Sequence, residues 1–303
     1  MKRALILTTF LLLMAKGLYA EDIRVLEQRD VLVLYEARLG SAAEEAAHIY
    51  PAVKARLEGV FGWDLALRPT VLLIMNRERF QRMAESPLTV AFAVPRKNLI
   101  VIDYSRMNIH PFSLGNTLKH ELCHLLLHYH IQGRLLPRWL DEGVCQWVSD
   151  GIGDILFDQK RSLLNRAAFR GRFIPLDALK EGFPRQQEAL LLAYEESRSF
   201  IDHIIARFGK EGLLGVLGQL KGGENVEVAM LKALSMPLEK LEEDWQASLR
   251  KKVTWFTYLS YHLYEILFVL MAFITIAAFI KIVLRKRAYA REEEEAGGGF
   301  SSP

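Results

Sequence analysis

The chain has 303 residues, of which 51% are hydrophobic and 25% are charged. This composition excludes an intrinsically disordered protein and a small disulfide-stabilised domain, and it allows one large domain or two small ones. The net charge of +3 comes from the first 20 residues, where Lys2, Arg3 and Lys16 have no acidic counterpart. Because the rest of the chain has no basic excess, we expect no nucleic-acid partner.

The N-terminal segment 1–20 has the features of a secretory signal peptide. Two basic residues precede an apolar run at 4–15, and small residues follow near Ala20. This run is too short to span a bilayer, so a cleaved signal fits better than an anchor or a buried first helix. Cleavage after Ala20, or after Gly17 as the alternative, places the domain at 21–252 outside the cytoplasm.

The segment 21–252 begins with strand-like sequences and continues with helical ones, which predicts an α+β domain. Short β-branched or Leu-rich runs predict strands at 31–36, 70–75, 90–94 and 99–102. Apolar periodicity predicts helices at 41–60, 77–84, 114–130, 138–149, 160–170, 188–208, 210–220, 226–234 and 237–252. We expect Pro51 to kink or split the first of these helices.

Four of the eight histidines are concentrated in the predicted helix 114–130. Within it, residues 120–124 read His-Glu-Leu-Cys-His, an H-E-x-x-H sequence. The i, i+4 spacing puts His120 and His124 on one helix face, where both imidazoles can bind one zinc ion. Glu121 lies one residue round the helix, where it can act as a general base on a metal-bound water without being a ligand.

A catalytic zinc site needs a third protein ligand, and the sequence offers three candidates. His130 falls where an H-E-x-x-H-x-x-G-x-x-H pattern has its last histidine, but Leu127 replaces the glycine that would turn the chain. In a continuous helix His130 lies about 15 Å along the axis from the first histidine, and His128 lies two turns from it, so neither reaches the site. Glu142 follows the motif by eighteen residues, near the start of a helix that can pack antiparallel to the first.

The H-E-x-x-H sequence, followed by W-L-D-E-G at 139–143, resembles the gluzincin clan of zinc peptidases and in particular the bacterial peptidase MA-like domains. The resemblance extends over about residues 30–250 and implies a thermolysin-like zincin fold. It implies that Glu121 activates the water. It also implies a Zn²⁺ ion with three protein ligands: His120, His124 and Glu142.

The resemblance reaches segments on both sides of the motif. The segment 90–102 resembles the family's edge strand, to which an extended peptide can add as another strand. The segment 193–200 resembles a downstream A-Y-x-x-S-x-x-F helix, which implies that Tyr194 binds the oxyanion, unless its ring is only packed in the core. The sequence has no G-x-M-E-N signature of the aminopeptidase branch, so we expect an endopeptidase. Asp141 has the simpler interpretation of a helix cap or dipole partner.

The two cysteines, Cys123 and Cys145, lie one on each predicted zinc helix. Neither occupies a ligand position if the histidines point towards the metal. A disulfide and a pair of buried free thiols are both compatible with the sequence of an exported protein.

Residues 259–284 form a second apolar stretch, with aromatic residues at its start and the basic cluster 285–287 directly after it. Glu265 and Lys281 lie near its two ends, where their side chains can reach the membrane interface. The length and flanks favour one transmembrane helix over a buried core helix. The basic cluster predicts that the tail 285–303 stays in the cytoplasm.

Together these features predict a single-pass protein of the bacterial inner membrane with a periplasmic zinc peptidase domain. Its expected partners are peptide or protein substrates of the cell envelope. Two alternatives remain: a catalytically silent zinc-binding scaffold for envelope partners, and a peptide-binding module that uses the edge strand alone.

Overall fold

The computed structural model describes residues 23–84, 86–109, 112–149, 163–252, 259–260 and 262–297. The predicted signal peptide at 1–20 lies outside the described residues. The chain divides into two units, Met1–Leu249 and Arg250–Pro303, and each is described by itself.

The first unit opens with a mixed sheet whose strands have the spatial order β1-β2-β3-β5-β4. The strands are β1 (Ile23–Glu27), β2 (Leu32–Glu36), β3 (Thr70–Ile74), β4 (Ala91–Val94) and β5 (Leu99–Asp103). The central strands β2, β3 and β5 are parallel, and the two edge strands pair antiparallel to their neighbours. In this register, Leu72 of β3 lies between Leu34 and Val101.

The sequence analysis predicted four of these strands and missed β1. Strand β1 is a sheet edge with only intermediate and exposed residues, so it lacks the continuous apolar run that marks a buried strand. The predicted edge at 90–102 is a hairpin in the structure: β4 is the outer strand, and β5 pairs with both β4 and β3.

Apart from short 3₁₀ turns, the other described elements of the two units are α-helices. They are α1 (Gly40–Phe61), α2 (Arg77–Gln81), α3 (Leu114–His130), α4 (Arg138–Val148), α5 (Leu163–Arg170), α6 (Gln187–Lys221), α7 (Val226–Leu234), α8 (Leu238–Lys252) and α9 (Leu263–Gly297). Five strands in one sheet, followed by helices, confirm the predicted α+β class.

Two backbone features test the predicted helix boundaries. The expectation that Pro51 splits the first helix is wrong, because α1 continues through it. Pro51 is exposed, and buried residues on another face, such as Ala46 and Leu57, hold α1 against the rest of the unit. Gly209 interrupts α6 with φ 74° and ψ 173°. This break lies between the predicted helices 188–208 and 210–220, and only glycine adopts such a conformation readily.

The packing of the helices places α3 and α4 side by side at the centre of the unit. Helix α3 contacts α1, β4 and β5 on the sheet side and α4 on its other side. Helix α4 in turn contacts α6, against which α7 packs. Most of α3 and α4 is therefore buried, and polar side chains on their shared face need partners within the fold.

Carboxylates of α6 and α8 anchor the segment around α5 by accepting backbone N–H groups. Glu195 accepts from Leu163 and Leu164 at 3.2 and 2.8 Å. Glu196 accepts from Ile174 at 3.1 Å, and Glu242 from Leu176. Glu196 is fully buried, and this burial raises its pKa to about 8.

Stability is expected to fall as pH rises because of Glu196. The folded state keeps the carboxyl proton up to about pH 8, whereas the unfolded chain loses it near its ordinary pKa of 4.5. Between these values the free energy of unfolding decreases by up to about 1.4 kcal/mol per pH unit. Glu196→Gln, which keeps an acceptor oxygen, should flatten this dependence in thermal melts of the full-length protein. The neighbouring Glu195→Gln should retain the slope, and parallel curves for wild type and Glu196→Gln would contradict the assignment.

The second unit contains α9, of which Leu263–Arg287 is long and apolar enough to cross a membrane. It is the one such helix among the described residues, and its apolar window is not buried against the rest of the chain. Most of the apolar stretch predicted at 259–284 lies in this helix, which begins at Leu263 and continues past the basic cluster to Gly297.

Candidate metal centre

Helix α3 begins at a polar cap and carries the H-E-x-x-H sequence in its buried middle. The N–H of Asn116 donates to the Ser113 hydroxyl at 3.3 Å, which satisfies one of the free amides at the helix start. The helix then runs unbroken through His120 and His124. Their Nε2 atoms lie 3.2 Å apart and point to the same place, as the i, i+4 spacing predicted.

Glu142 of α4 supplies a third donor to this pair of imidazoles. Its Oε2 lies 3.6 Å from His120 Nε2 and 3.7 Å from His124 Nε2. Donors bound to a tetrahedral zinc at its usual bond lengths are about 3.4 Å apart. The structure therefore brings the three predicted ligands together at a spacing that fits Zn²⁺ without rearrangement of the helices.

Hydrogen bonds to the Nδ1 atoms fix both imidazole rings with Nε2 facing the site. His124 Nδ1–H donates to Asp141 Oδ1 at 2.7 Å, and His120 Nδ1 lies 3.3 Å from the Ser149 hydroxyl. Ser149 gives its own proton to the Cys145 carbonyl, so it accepts from His120. Such partners are typical of metal-binding histidines, because they set the tautomer and raise the basicity of the ligating nitrogen.

The electrostatics of the group suit a cation. Without a metal, burial opposes the charged form of His124, but Asp141 and Glu142 raise its pKa to about 10. Burial also opposes ionisation of Glu142, yet Arg138 and the histidines hold its pKa at about 2. The site thus attracts a proton to His124 at neutral pH, and a divalent ion can replace that proton.

The role of Asp141 was not predicted from the sequence, which indicated a helix cap. It is buried and accepts hydrogen bonds from His124 and, at 3.0 Å, from His128 Nε2. The two histidines outweigh the effect of burial and hold the pKa of Asp141 well below its usual range. Only the packing of α4 on α3 brings this carboxylate to both rings.

The two histidines excluded as ligands by helix geometry lie outside the donor group. His128 is partly buried and donates to Asp141. His130 Nε2 donates to the carbonyl of Asp64 at 2.8 Å.

A second group of possible donors, among the described residues, comprises His124, Asp141 and Cys145. Its 2.7 Å separation between nitrogen and oxygen is that of a hydrogen bond and is shorter than donor spacings around zinc. The sequence allowed Cys123 and Cys145 to form a disulfide or to remain buried free thiols. In the structure both are buried free thiols. Burial, and then the neighbouring Cys123 thiol, raises the pKa of Cys145.

Glu121 faces the same group of residues from α3. It is only 6% exposed, and this burial raises its pKa, while the nearby charges of His120 and His124 lower it in part. A carboxylate with a raised pKa is suited to accept a proton near neutral pH.

Tyr194 reaches the site from α6. The charge of Glu142, and then burial, raises the pKa of its hydroxyl, whereas the neighbouring Arg138 guanidinium lowers it in part. Its ring also packs edge-to-face on Phe183, with centroids 5.0 Å apart. Both rings are only partly buried, so this contact is not core packing, and the hydroxyl lies near the charges of the site.

Gly143, which follows the glutamate of the W-L-D-E-G segment, lies where the fold leaves no room for a side chain. A Cβ atom here would lie 2.5 Å from the carbonyl oxygen of Ser197 and 2.7 Å from Ile201 Cγ1. The preceding Trp139 is buried edge-to-face on Phe200 of the same helix α6. The glycine thus allows the close approach of α4 to α6 that brings Glu142 and Tyr194 together.

The chain is similar to one protein family and to solved structures of larger proteins. A family model described as the Peptidase MA superfamily matches residues 79–251. Among solved structures, Legionella pneumophila aminopeptidase A in complex with aspartic acid has 13% identity and a TM-score of 0.43 and covers 74% of this chain. Yeast LTA4 hydrolase in complex with bestatin has 12% identity and a TM-score of 0.43 and covers 78%.

This chain spans 27% and 39% of those two proteins. A comparison with curated proteins finds no match. The family match extends over more than half of the chain and includes α3, α4 and α6. The chain therefore belongs to the Peptidase MA superfamily.

Proposed function

We propose that the protein is a membrane-anchored zinc endopeptidase that hydrolyses peptide bonds in the cell envelope. The observation that carries this proposal is the convergence of two imidazole nitrogens and one carboxylate oxygen, at 3.2 to 3.7 Å, beside the buried carboxylate of Glu121. A purely structural zinc site has no need of that fourth group, whereas a hydrolase needs a base there.

Each site residue has a distinct task in this proposal. His120, His124 and Glu142 would hold Zn²⁺, which when bound supplies a Lewis acid and a water of lowered pKa. Glu121 takes the proton of the attacking water as its oxygen bonds to the peptide carbonyl carbon. Glu121 then passes this proton to the amine as the carbon–nitrogen bond breaks. Tyr194, whose hydroxyl interacts with the Arg138 guanidinium, would donate its O–H to the oxyanion.

The position of strand β4 is evidence for a peptide substrate. It is an edge of the sheet, and it contacts α3, the helix that carries Glu121. An extended peptide can add to such an edge through main-chain hydrogen bonds and lie across the metal centre. The missing aminopeptidase signature favours cleavage within a chain.

Metal removal and return tests the proposal. Full-length protein in detergent, incubated with a complex peptide mixture, is expected to produce new termini that mass spectrometry detects. A chelator should abolish this cleavage, and Zn²⁺ but not Mg²⁺ should restore it, because nitrogen ligands prefer zinc. Cleavage that continues after complete metal removal, or no cleavage by zinc-loaded protein, would refute the peptidase.

We also propose that Leu263–Arg287 anchors the protein in the inner membrane, with the metal centre outside the cytoplasm. The support is the length of this apolar helix and the basic cluster at 285–287, which favours the cytoplasmic side. Protease added to spheroplasts should digest the segment 21–252 and spare a tag placed after Pro303. Permeabilised cells provide the control, in which the tag is also digested. A protected 21–252 segment with an accessible tag would reverse the orientation.

A further inference from the structure

Arg138, the first residue of α4, joins two residues of the metal centre. Its Nη2 lies 2.5 Å from Glu142 Oε1, one helical turn further on. The same guanidinium interacts electrostatically with the Tyr194 hydroxyl. The other oxygen of Glu142 is the one that faces the two histidine Nε2 atoms.

The position of Arg138 is itself fixed by the surrounding fold. Its guanidinium carbon lies 6.0 Å from the centre of the Phe183 ring, which packs on Tyr194. Its backbone N–H donates to the carbonyl of Lys180 at 2.8 Å. The planar guanidinium has several donors in a fixed arrangement, so it can hold a carboxylate and a hydroxyl at once.

Arg138 also balances the charge of the site. Glu121, Asp141 and Glu142 are three buried acids within one cluster. When all three are ionised, a divalent ion neutralises two of these charges, and Arg138 neutralises the third. Buried charges are stable only when they are paired in this way.

We propose that Arg138 is a positioning residue: it holds Glu142 as a ligand with one oxygen and directs the hydroxyl of Tyr194. This inference rests on the proposed zinc peptidase function. A carboxylate can bind a metal with one oxygen or with both. Because Arg138 pairs with Oε1, Oε2 would be the oxygen that Glu142 offers to a metal, and a single-oxygen ligand would leave room for a water.

Cobalt loading of the full-length protein in detergent tests this role without reliance on turnover. Arg138→Met keeps much of the side-chain volume but removes every donor, so Glu142 is free to bind with both oxygens. We expect this variant to bind one Co²⁺ per chain, with weaker and shifted visible bands because the coordination number rises. Peptide cleavage by its zinc form should fall by about 10–100-fold, as is typical when a partner of a metal ligand is lost.

Two further variants complete the experiment. Arg207→Met removes an exposed arginine paired with Asp244, at 2.6 Å, and should match the wild type in spectrum and rate. Arg138→Lys keeps the charge but has only one nitrogen in its side chain. Its Co²⁺ spectrum and cleavage rate should therefore lie between those of the wild type and Arg138→Met. It takes the place of Arg138→Met if that variant does not fold. A wild-type spectrum and rate in these Arg138 variants would overturn the inference alone. A wild-type protein that binds neither Co²⁺ nor Zn²⁺ would overturn the proposed function with it.

Discussion

Replacing Glu121 with glutamine is expected to give a folded, zinc-loaded protein that no longer cleaves peptides. Glutamine keeps the size of the side chain and its hydrogen bonds but cannot take a proton from water. Loss of a general base typically lowers the rate by 10²–10⁴-fold. The three metal donors are unchanged, so zinc content and the melting temperature should stay close to those of the wild type.

Glu44→Gln is a matched control for this substitution, because Glu44 is an exposed glutamate of α1. It should retain full activity. The inert Glu121→Gln protein should also retain bound substrates, which can be identified after capture from cells. Equal complementation of a deletion strain by wild type and Glu121→Gln would instead favour the scaffold.

The second large effect is expected on metal binding. Glu142→Ala removes one of three donors, so its zinc affinity should fall by at least about 100-fold. Loss of a residue that only hydrogen-bonds a metal ligand typically costs less, about 10–100-fold in affinity. His130→Ala removes a hydrogen bond to the Asp64 carbonyl, worth about 1 kcal/mol of stability, and ring contacts with Trp63 and Tyr129, and it should keep its zinc. Metal content measured after equilibration with a chelator of known affinity distinguishes these outcomes. Stoichiometric zinc in Glu142→Ala would show that this glutamate is not a ligand.

Much of the fold could be predicted because its elements carry strong local patterns. The boundaries of α3 and α7 agree with their apolar periodicity, and Gly209 marks the break in α6. Strand β1 has no such pattern, because a half-exposed edge strand needs little apolar surface. Pro51 shows the reverse case, in which packing of the buried face of α1 maintains a helix that the local sequence disfavours.

The candidate site was predictable only as far as spacing along one helix determines it. The pair His120 and His124 follows from the i, i+4 rule, and Glu142 from the resemblance to a family. The positions of Asp141 and Arg138 depend on how α4 packs on α3 and α6. No pattern within α4 indicates that these side chains contact a histidine or a tyrosine of another helix.

The most direct test of a zinc-dependent hydrolase is the incorporation of oxygen from water into the products. Zinc-loaded full-length protein in detergent is incubated with peptides in ¹⁸O-labelled water, and the new C-termini are analysed by mass spectrometry. Hydrolysis predicts one ¹⁸O atom in each new carboxylate. Neither the Glu121→Gln protein nor the chelated wild type should produce these labelled termini. Two results would contradict the account. One is that zinc-loaded wild-type protein yields no labelled termini, and the other is that Glu121→Gln produces as many labelled termini as the wild type.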